Sequence, residues 1–168
     1  MRPLLILNMK YLALLVLLLP GLPARAQRIV LPGGEYMDTA LARSPACAKA
    51  GWARYYNVRF KYPRSSYTLA REAQAFLQRQ KQAYAGSGYV TFRFGVDCTG
   101  HRLPRVQVLQ TTAQYQPTHF DKALVEALYA YFQTLTEWRV GAMQNAPVNY
   151  LAYLTFKLKD GNVVAVVP

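Results

Sequence analysis

Two stretches of this chain alternate apolar and polar side chains along nearly their whole length. In the segment 88–96 every second residue is apolar: Val90, Phe92, Phe94 and Val96. In the segment 149–158 the apolar positions are Ala152, Leu154, Phe156 and Leu158. A period of two places successive side chains on opposite faces of a strand, so both segments predict strands with one buried face. The rest of the chain must supply the layer that covers this face.

Two other segments have the spacing of amphipathic helices. Residues 65–84 are apolar at positions 69, 73, 76, 77 and 84, with Ser66 or Thr68 as the predicted cap and the run GSG at 86–88 as the end. In residues 117–138, Thr118 is the predicted cap and Asp121 the third helical residue of a capping box. The apolar stripe of this second helix is Phe120, Leu124, Leu128, Tyr131 and Leu135.

Turn signals connect these elements. The run 97–104 separates the first strand from residues 105–110, where Val106 and Val108 are the inward positions of a hairpin partner. Asp160-Gly161 is a two-residue hairpin signal that leads to a short last strand at 162–167. The order predicts an α+β fold, a small antiparallel sheet of three to four strands with two helices packed on one face.

The N-terminus has the pattern of a secretory signal peptide. A basic flank precedes an apolar core at residues 11–19, followed by Pro20-Gly21 and a small-residue site ending at Ala26. This predicts a signal peptide at 1–26, an irregular arm at 27–61 and one domain at 62–168. The core is short for a bilayer span, which takes roughly 20 residues, so cleavage near Ala26 and export are favoured over an uncleaved anchor and a stable membrane span.

The chain is strongly basic. Removal of Arg2, Lys10 and Arg25 with the signal peptide leaves 17 of the 20 basic residues against 8 acidic ones, a net charge of about +9. In an exported protein this charge favours anionic components of the envelope, or an ordinary solvated surface, over nucleic acid.

Two cysteines remain after export, Cys47 and Cys98. In an oxidising compartment an even count predicts a disulfide, and two separate buried thiols are the alternative. A zinc site of Cys47, Cys98, His101 and His119, or a reactive Cys98 with His101 as its base, are two further alternatives. The sequence has no recognised catalytic or phosphate-binding motif, so we expect no enzymatic activity, no metal and no cofactor.

The order and spacing of these motifs resemble the C-terminal domain of the TonB family over residues 61–158. Tyr-Pro is followed by a Gly-x-Val-x-x-x-Phe-x-Val strand, a turn containing Gly, a helix, and then Trp, Gly and Pro-Val before a closing strand. The matching positions are Tyr62, Pro63, Gly88, Val90, Phe94, Val96, Gly100, Val106, Val108, Trp138, Gly141, Pro147, Val148 and Phe156.

The resemblance implies a non-enzymatic interaction module of the periplasm or cell envelope, linked to TonB-dependent outer-membrane transport. Such a module pairs its exposed edge strand with a segment of an envelope or outer-membrane partner by β-augmentation. The implied docking residues are Leu151, Tyr153, Leu154, Thr155, Phe156 and Lys157. The alternatives are a homodimer, a basic domain that binds anionic polymers or lipid, and an enzyme or zinc protein built on Cys98.

Overall fold

The computed structural model describes residues 35–42, 44–53 and 62–168. The predicted signal peptide and the arm residues 27–34, 43 and 54–61 lie outside the described residues. Within the described part of the chain, seven strands and two α-helices alternate with short turns. They are β1 (Glu35–Asp38), β2 (Trp52–Ala53), α1 (Ser66–Arg79), β3 (Gly88–Val96), β4 (Arg102–Thr112), α2 (Lys122–Gln133), β5 (Gly141–Met143), β6 (Ala146–Lys159) and β7 (Asn162–Val167).

The sheet has the order β1-β4-β3-β6-β2, and two further short strands, β5 and β7, also pair with β6. All pairs are antiparallel except the two-residue parallel pair of β2 with β6. The mixed α+β class is confirmed, but the sheet is larger than the three to four strands expected. The additional strands come from the supposedly irregular arm, which contributes β1 and β2, and from the connection before β6, which contributes β5. Strand β6 is 14 residues long, and one neighbour of ordinary length cannot satisfy its outer backbone groups.

The inward positions of the strands are confirmed. Every residue expected on the buried faces of β3, β4 and β6 is at most 5% exposed. Both helices cover this same face, since Phe92 packs against Phe132 of α2 and Phe156 against Tyr131, which in turn contacts Phe76 of α1. The sheet therefore has one face covered by helices and one face that neither helix covers.

The helix boundaries differ from those expected. Ser65, one residue earlier than predicted, caps α1 by accepting a hydrogen bond from the backbone N–H of Thr68. Asp121 is the cap of α2 and not its third residue, because its carboxylate accepts from the N–H of Ala123. Phe120 consequently precedes α2, and the other four residues of its stripe are buried. Neither helix among the described residues is long and apolar enough to cross a membrane.

The hairpin at Asp160-Gly161 is confirmed and is tightly packed. Both residues have positive φ values, 50° and 74°, as a two-residue turn requires. The N–H of Gly161 donates to the carbonyl of Gly86 (2.8 Å). A Cβ atom on Gly161 would lie 2.0 Å from the carbonyl oxygen of Tyr84, so the hairpin is seated directly on the segment that precedes β3.

We expect Gly161→Ala to lower the free energy of unfolding by at least ~2 kcal/mol, through left-handed backbone strain together with this clash. Gly51→Ala is the matched control, because a Cβ atom there meets nothing within 4 Å; its effect should stay within about 0.5 kcal/mol. Denaturant unfolding of both variants measures the difference, and equal stabilities would contradict the packing described.

Candidate functional site

The predicted disulfide is confirmed. Cys47, at the end of the short 3-10 helix Pro45–Cys47, is bonded to Cys98 in the turn between β3 and β4, with an S–S distance of 2.02 Å. The zinc and thiolate alternatives both need a free Cys98, whereas here its sulfur is bonded to that of Cys47. The bond ties the N-terminal segment to the end of the sheet.

Asn149, a residue that the sequence analysis did not single out, reinforces this link. Its side-chain oxygen accepts from the N–H of Cys98 (3.0 Å), and its amide nitrogen donates to the carbonyls of Cys47 (3.3 Å) and Ala50 (3.1 Å). Its backbone N–H donates to the carbonyl of Gly51 (2.8 Å). The position of a single amide residue between Val148 and Tyr150 in an apolar strand is the signal that could have identified it.

Loss of the disulfide should release this segment from the β3–β4 turn. In the chain-entropy model a closed loop of 51 residues stabilises the folded state by about 4 kcal/mol. We therefore expect Cys47→Ser/Cys98→Ser to unfold at a correspondingly lower denaturant concentration. Wild type treated with a reductant should match the variant, and a loss below about 1 kcal/mol would show that Asn149 alone holds the segment.

The residues after β3 form a tight turn around a buried carboxylate. The Oδ1 atom of Asp97 accepts hydrogen bonds from the N–H and hydroxyl of Thr99 (2.9 and 2.6 Å) and from the N–H of His101 (3.0 Å). The exposed His101 ring contacts the Thr99 hydroxyl through Nδ1 (2.8 Å). His119 lies elsewhere, where its ring pairs with Glu35 (2.7 Å). The two histidines therefore belong to separate surfaces.

Burial alone would raise the pKa of Asp97, but the hydrogen bonds from Thr99 and His101 outweigh it and lower the pKa. A carboxyl with a lowered pKa stabilises the fold above its ordinary pKa of about 3.9, and this contribution is lost as the pH falls through the folded-state value. Asp97→Asn should therefore cost about 1–3 kcal/mol near neutral pH.

The cost of Asp97→Asn should shrink as the pH falls below about 4, because wild type then also carries a neutral group at this position. Urea unfolding of both proteins between pH 2.5 and 7 tests this dependence. A difference that is independent of pH would mean that the charge of Asp97 does not contribute.

The residues that carry the resemblance to the TonB C-terminal domain lie in the core and in turns. Tyr62, Phe94 and Trp138 form one buried aromatic cluster, in which the Trp138 ring lies 4.7 Å from each of the other two ring centroids. Gly88 and Gly100 have positive φ values. A Cβ atom on Gly88 would clash with the carbonyl oxygen of Thr111, and one on Gly100 with that of Trp138. Pro63 and Pro147 are exposed, Val90 is in the core, and Gly141 begins β5. These positions therefore support the core and its turns.

An ionic cluster that the sequence did not reveal joins this region to both helices. Arg64 bridges Glu72 of α1 (2.7 Å) and Glu137 after α2 (2.8 Å), and these hydrogen bonds raise the pKa of Arg64. The hydroxyl of Tyr131 donates to Glu72, and that of Tyr62 to Glu137. Each of the two carboxylates thus has Arg64 and a tyrosine hydroxyl as partners. Because Glu72 belongs to α1 and Glu137 follows α2, these bonds connect the two helices.

The predicted docking strand is paired on both sides over its C-terminal part, where the prediction expected an edge. Thr155, Phe156 and Lys157 pair with β3 on one side and with β7 on the other. Leu151, Tyr153 and Leu154 pair with β3 as well, and β2 and β7 adjoin this stretch at Tyr150 and Thr155. The hairpin at Asp160-Gly161 causes the difference, since it folds β7 back onto β6. Whether any of these residues contacts a partner stays a prediction.

Strand β7 is the end strand on this side of the described sheet. The side-chain oxygen of Gln74 on α1 accepts from the N–H of Val163 (2.7 Å), and its amide nitrogen donates to Asn162 (2.8 Å). The backbone N–H at the start of β7 is therefore already bonded to helix α1. Further along, Val164 and Val167 are 48% and 59% exposed, so the segment 164–167 presents apolar side chains to solvent.

The sheet face opposite the helices, here called the open face, has a distinct chemistry. Arg105 lies over the ring of Tyr36 (4.8 Å) and Arg93 over that of Tyr153 (6.0 Å). The Tyr89 and Tyr115 rings stack with centroids 5.1 Å apart and nearly parallel planes. The residues of the open face are Tyr36 of β1, Tyr89, Thr91 and Arg93 of β3, Arg105, Gln107, Leu109 and Thr111 of β4, Leu151, Tyr153, Thr155 and Lys157 of β6, and Tyr115.

These features define an α+β protein with one helix-covered and one open sheet face, stapled to its N-terminal segment by a disulfide. No family model matches the chain, and no curated protein or solved structure is similar to it.

Proposed function

We propose that this chain is a non-enzymatic interaction module of the cell envelope, of the type of the TonB C-terminal domain. It binds an envelope or outer-membrane protein by strand pairing, in connection with outer-membrane transport. The observation that carries the proposal is the accessible end strand β7, beside which the described residues place no further strand. The order of the sequence motifs supports it independently.

Strand pairing at β7 differs in position from the docking first expected on β6. An incoming segment satisfies the outward N–H and C=O groups of an edge strand, and alternate side chains supply selectivity. Because Gln74 already accepts from the N–H of Val163, docking begins beyond this residue. Val164 and Val167 then provide the exposed apolar contacts.

Several residues support a binding role over a catalytic one. The sulfur of Cys98 is bonded to Cys47, and the carboxylate of Asp97 is engaged by the backbone of its own turn. The disulfide also agrees with an oxidising compartment, which is the environment that a cleaved signal peptide near Ala26 would provide.

A second candidate function is binding of anionic envelope polymers or lipid by charge. The observation that favours it is the cluster of Arg93, Arg105 and Lys157 on the open face, added to the net positive charge of the chain. Electrostatic attraction of this kind is screened by salt. It uses a face of the sheet and not its edge, so the two functions can be tested separately.

The edge proposal is tested with the chain starting at Gln27 and synthetic peptides that cover the periplasmic N-terminal segments of outer-membrane receptors from the same cell. We expect a bound peptide to slow amide hydrogen exchange in the segment 164–167, because its strand would pair with β7. Val164→Pro should weaken binding at least tenfold, since the proline ring restricts the backbone of the segment that would pair.

Val164 lies at the irregularity of the β6–β7 register, between Val163 and Ala165, where proline is best tolerated in a sheet. Val164→Thr is the matched control and should bind as wild type does. Thermal unfolding checks that both variants fold. Peptide binding that leaves β7 exchange unchanged, or survives Val164→Pro, would contradict edge docking, and self-association through β7 would replace the partner by a second copy.

A further inference from the structure

The open face presents its cations in a line across three strands. Lys157 lies opposite Tyr89 in the β3–β6 register, and Arg93 follows four residues further along β3, a distance of roughly 13 Å along the strand. Gln107 of β4 is opposite Arg93, and Arg105 follows two residues beyond it, roughly 8 Å from Arg93 along the diagonal. The three positive charges therefore cross the sheet diagonally.

No acidic residue lies on β3, β4 or β6, the three strands that carry these charges. On β1, Glu35 is in register with Val108 of the covered face and is bonded to Gln110 and His119. The carboxylate of Asp38 accepts from the N–H of Ala40. The open face is therefore complementary to a negatively charged ligand.

Aromatic rings lie beside each end of this line. Tyr36 is 41% exposed next to Arg105, and Tyr115 is 71% exposed where it stacks on Tyr89. A hydrogen bond with Tyr89 raises the pKa of the Tyr115 hydroxyl, and Lys157 lies opposite Tyr89 in the β3–β6 register. Each end thus offers a flat ring together with a positive charge.

The central strands leave only side chains for recognition on this face. The backbone groups of β3 are committed to β4 and β6 on its two sides, so a peptide cannot be bound here by strand addition. What remains is hydroxyl groups such as those of Thr91 and Thr155, which bond each other at 3.0 Å, the tyrosine rings and the cations. Rings that stack on C–H faces beside cations that bind carboxylates suit an acidic sugar chain.

We propose that the open face binds an anionic polysaccharide, with Arg93, Arg105 and Lys157 contacting its carboxylates and the Tyr36 and Tyr115 rings stacking on its sugars. The proposal deepens the second candidate function above and rests on it. An anionic bilayer fits less well, because binding to a bilayer requires apolar side chains that bury into it, whereas the exposed Tyr36 and Tyr115 of this face lie beside cations.

The test uses the chain starting at Gln27 and a hexamer of galacturonic acid as the probe, with maltohexaose as the neutral counterpart. Calorimetry at 50 mM salt should detect binding of the acidic hexamer, with an affinity that falls at least tenfold at 300 mM salt because the charges are screened. Maltohexaose should bind at least tenfold more weakly than the acidic hexamer.

Arg93→Gln/Arg105→Gln/Lys157→Gln should reduce the affinity for the acidic hexamer at least tenfold. The matched control is Arg71→Gln/Arg79→Gln/Lys122→Gln, which removes three exposed cations from the helices and changes the net charge equally; it should bind within about threefold of wild type. Tyr115→Asn tests the ring separately, since asparagine tolerates the φ of 60° found there, and it should weaken binding severalfold. Thermal unfolding verifies that each variant folds.

Equal losses in the two triple variants would overturn the proposal, because binding would then follow net charge alone. Binding to anionic phosphatidylglycerol vesicles or to polyglutamate, without binding to the acidic hexamer, would overturn it in favour of another ligand class. If Arg93→Gln/Arg105→Gln/Lys157→Gln leaves polyanion binding intact, the open face is not the binding site, although the second candidate function stands. Val164→Pro should not change hexamer binding, because β7 is not part of the open face. A failure of edge docking can therefore be distinguished from a failure of polysaccharide binding.

Discussion

The antiparallel pairing of β3 with β6 fixes the position of every other described element. Nine consecutive residue pairs join the two strands, from Gly88 opposite Leu158 to Val96 opposite Tyr150. This ladder brings the apolar sides of both strands to one face, where Phe92, Phe94 and Phe156 meet the helices. A slip by one residue would turn those rings to the opposite face. The register is therefore specified by burial as well as by hydrogen bonds.

The length of β6 explains why several short strands pair with it. Three short strands, β5, β2 and β7, adjoin it in succession, and each is fixed by a different local interaction. The two-residue β2 is the weakest of these as a strand, and the disulfide of Cys47 and the amide of Asn149 hold its segment in place. Strand β7 depends on its hairpin turn and on Gln74. What would have been one long exposed edge is divided into protected pieces, as expected where free edges promote unwanted pairing.

The two faces of the sheet follow from the same alternation and have opposite roles. The even-numbered residues of β6 from Val148 to Leu158 form the core with the helices, while its odd-numbered residues from Leu151 to Lys157 belong to the open face. The core face is covered by the helices, so both proposed binding surfaces, the segment 164–167 and the open face, lie away from it. Docking on the former would use backbone groups, and binding on the latter would use side-chain rings and charges.

The sequence by itself determined the periodic features of this protein, which are the alternating strands, the helical stripes and the two-residue turn at Asp160-Gly161, together with the pairing of its two cysteines. These could be predicted because each depends on residues close in the chain or on a count. The caps were misplaced by one to three residues, because several polar residues near each helix start compete for the same N–H groups. Only the tertiary structure decided that β6 is central, that the arm contributes strands, and that Asn149 joins three backbone segments. Those outcomes depend on which distant segments meet, and in this chain a turn of two residues and one disulfide settle them, because they bring β7 and the N-terminal segment against a strand that would otherwise be an edge.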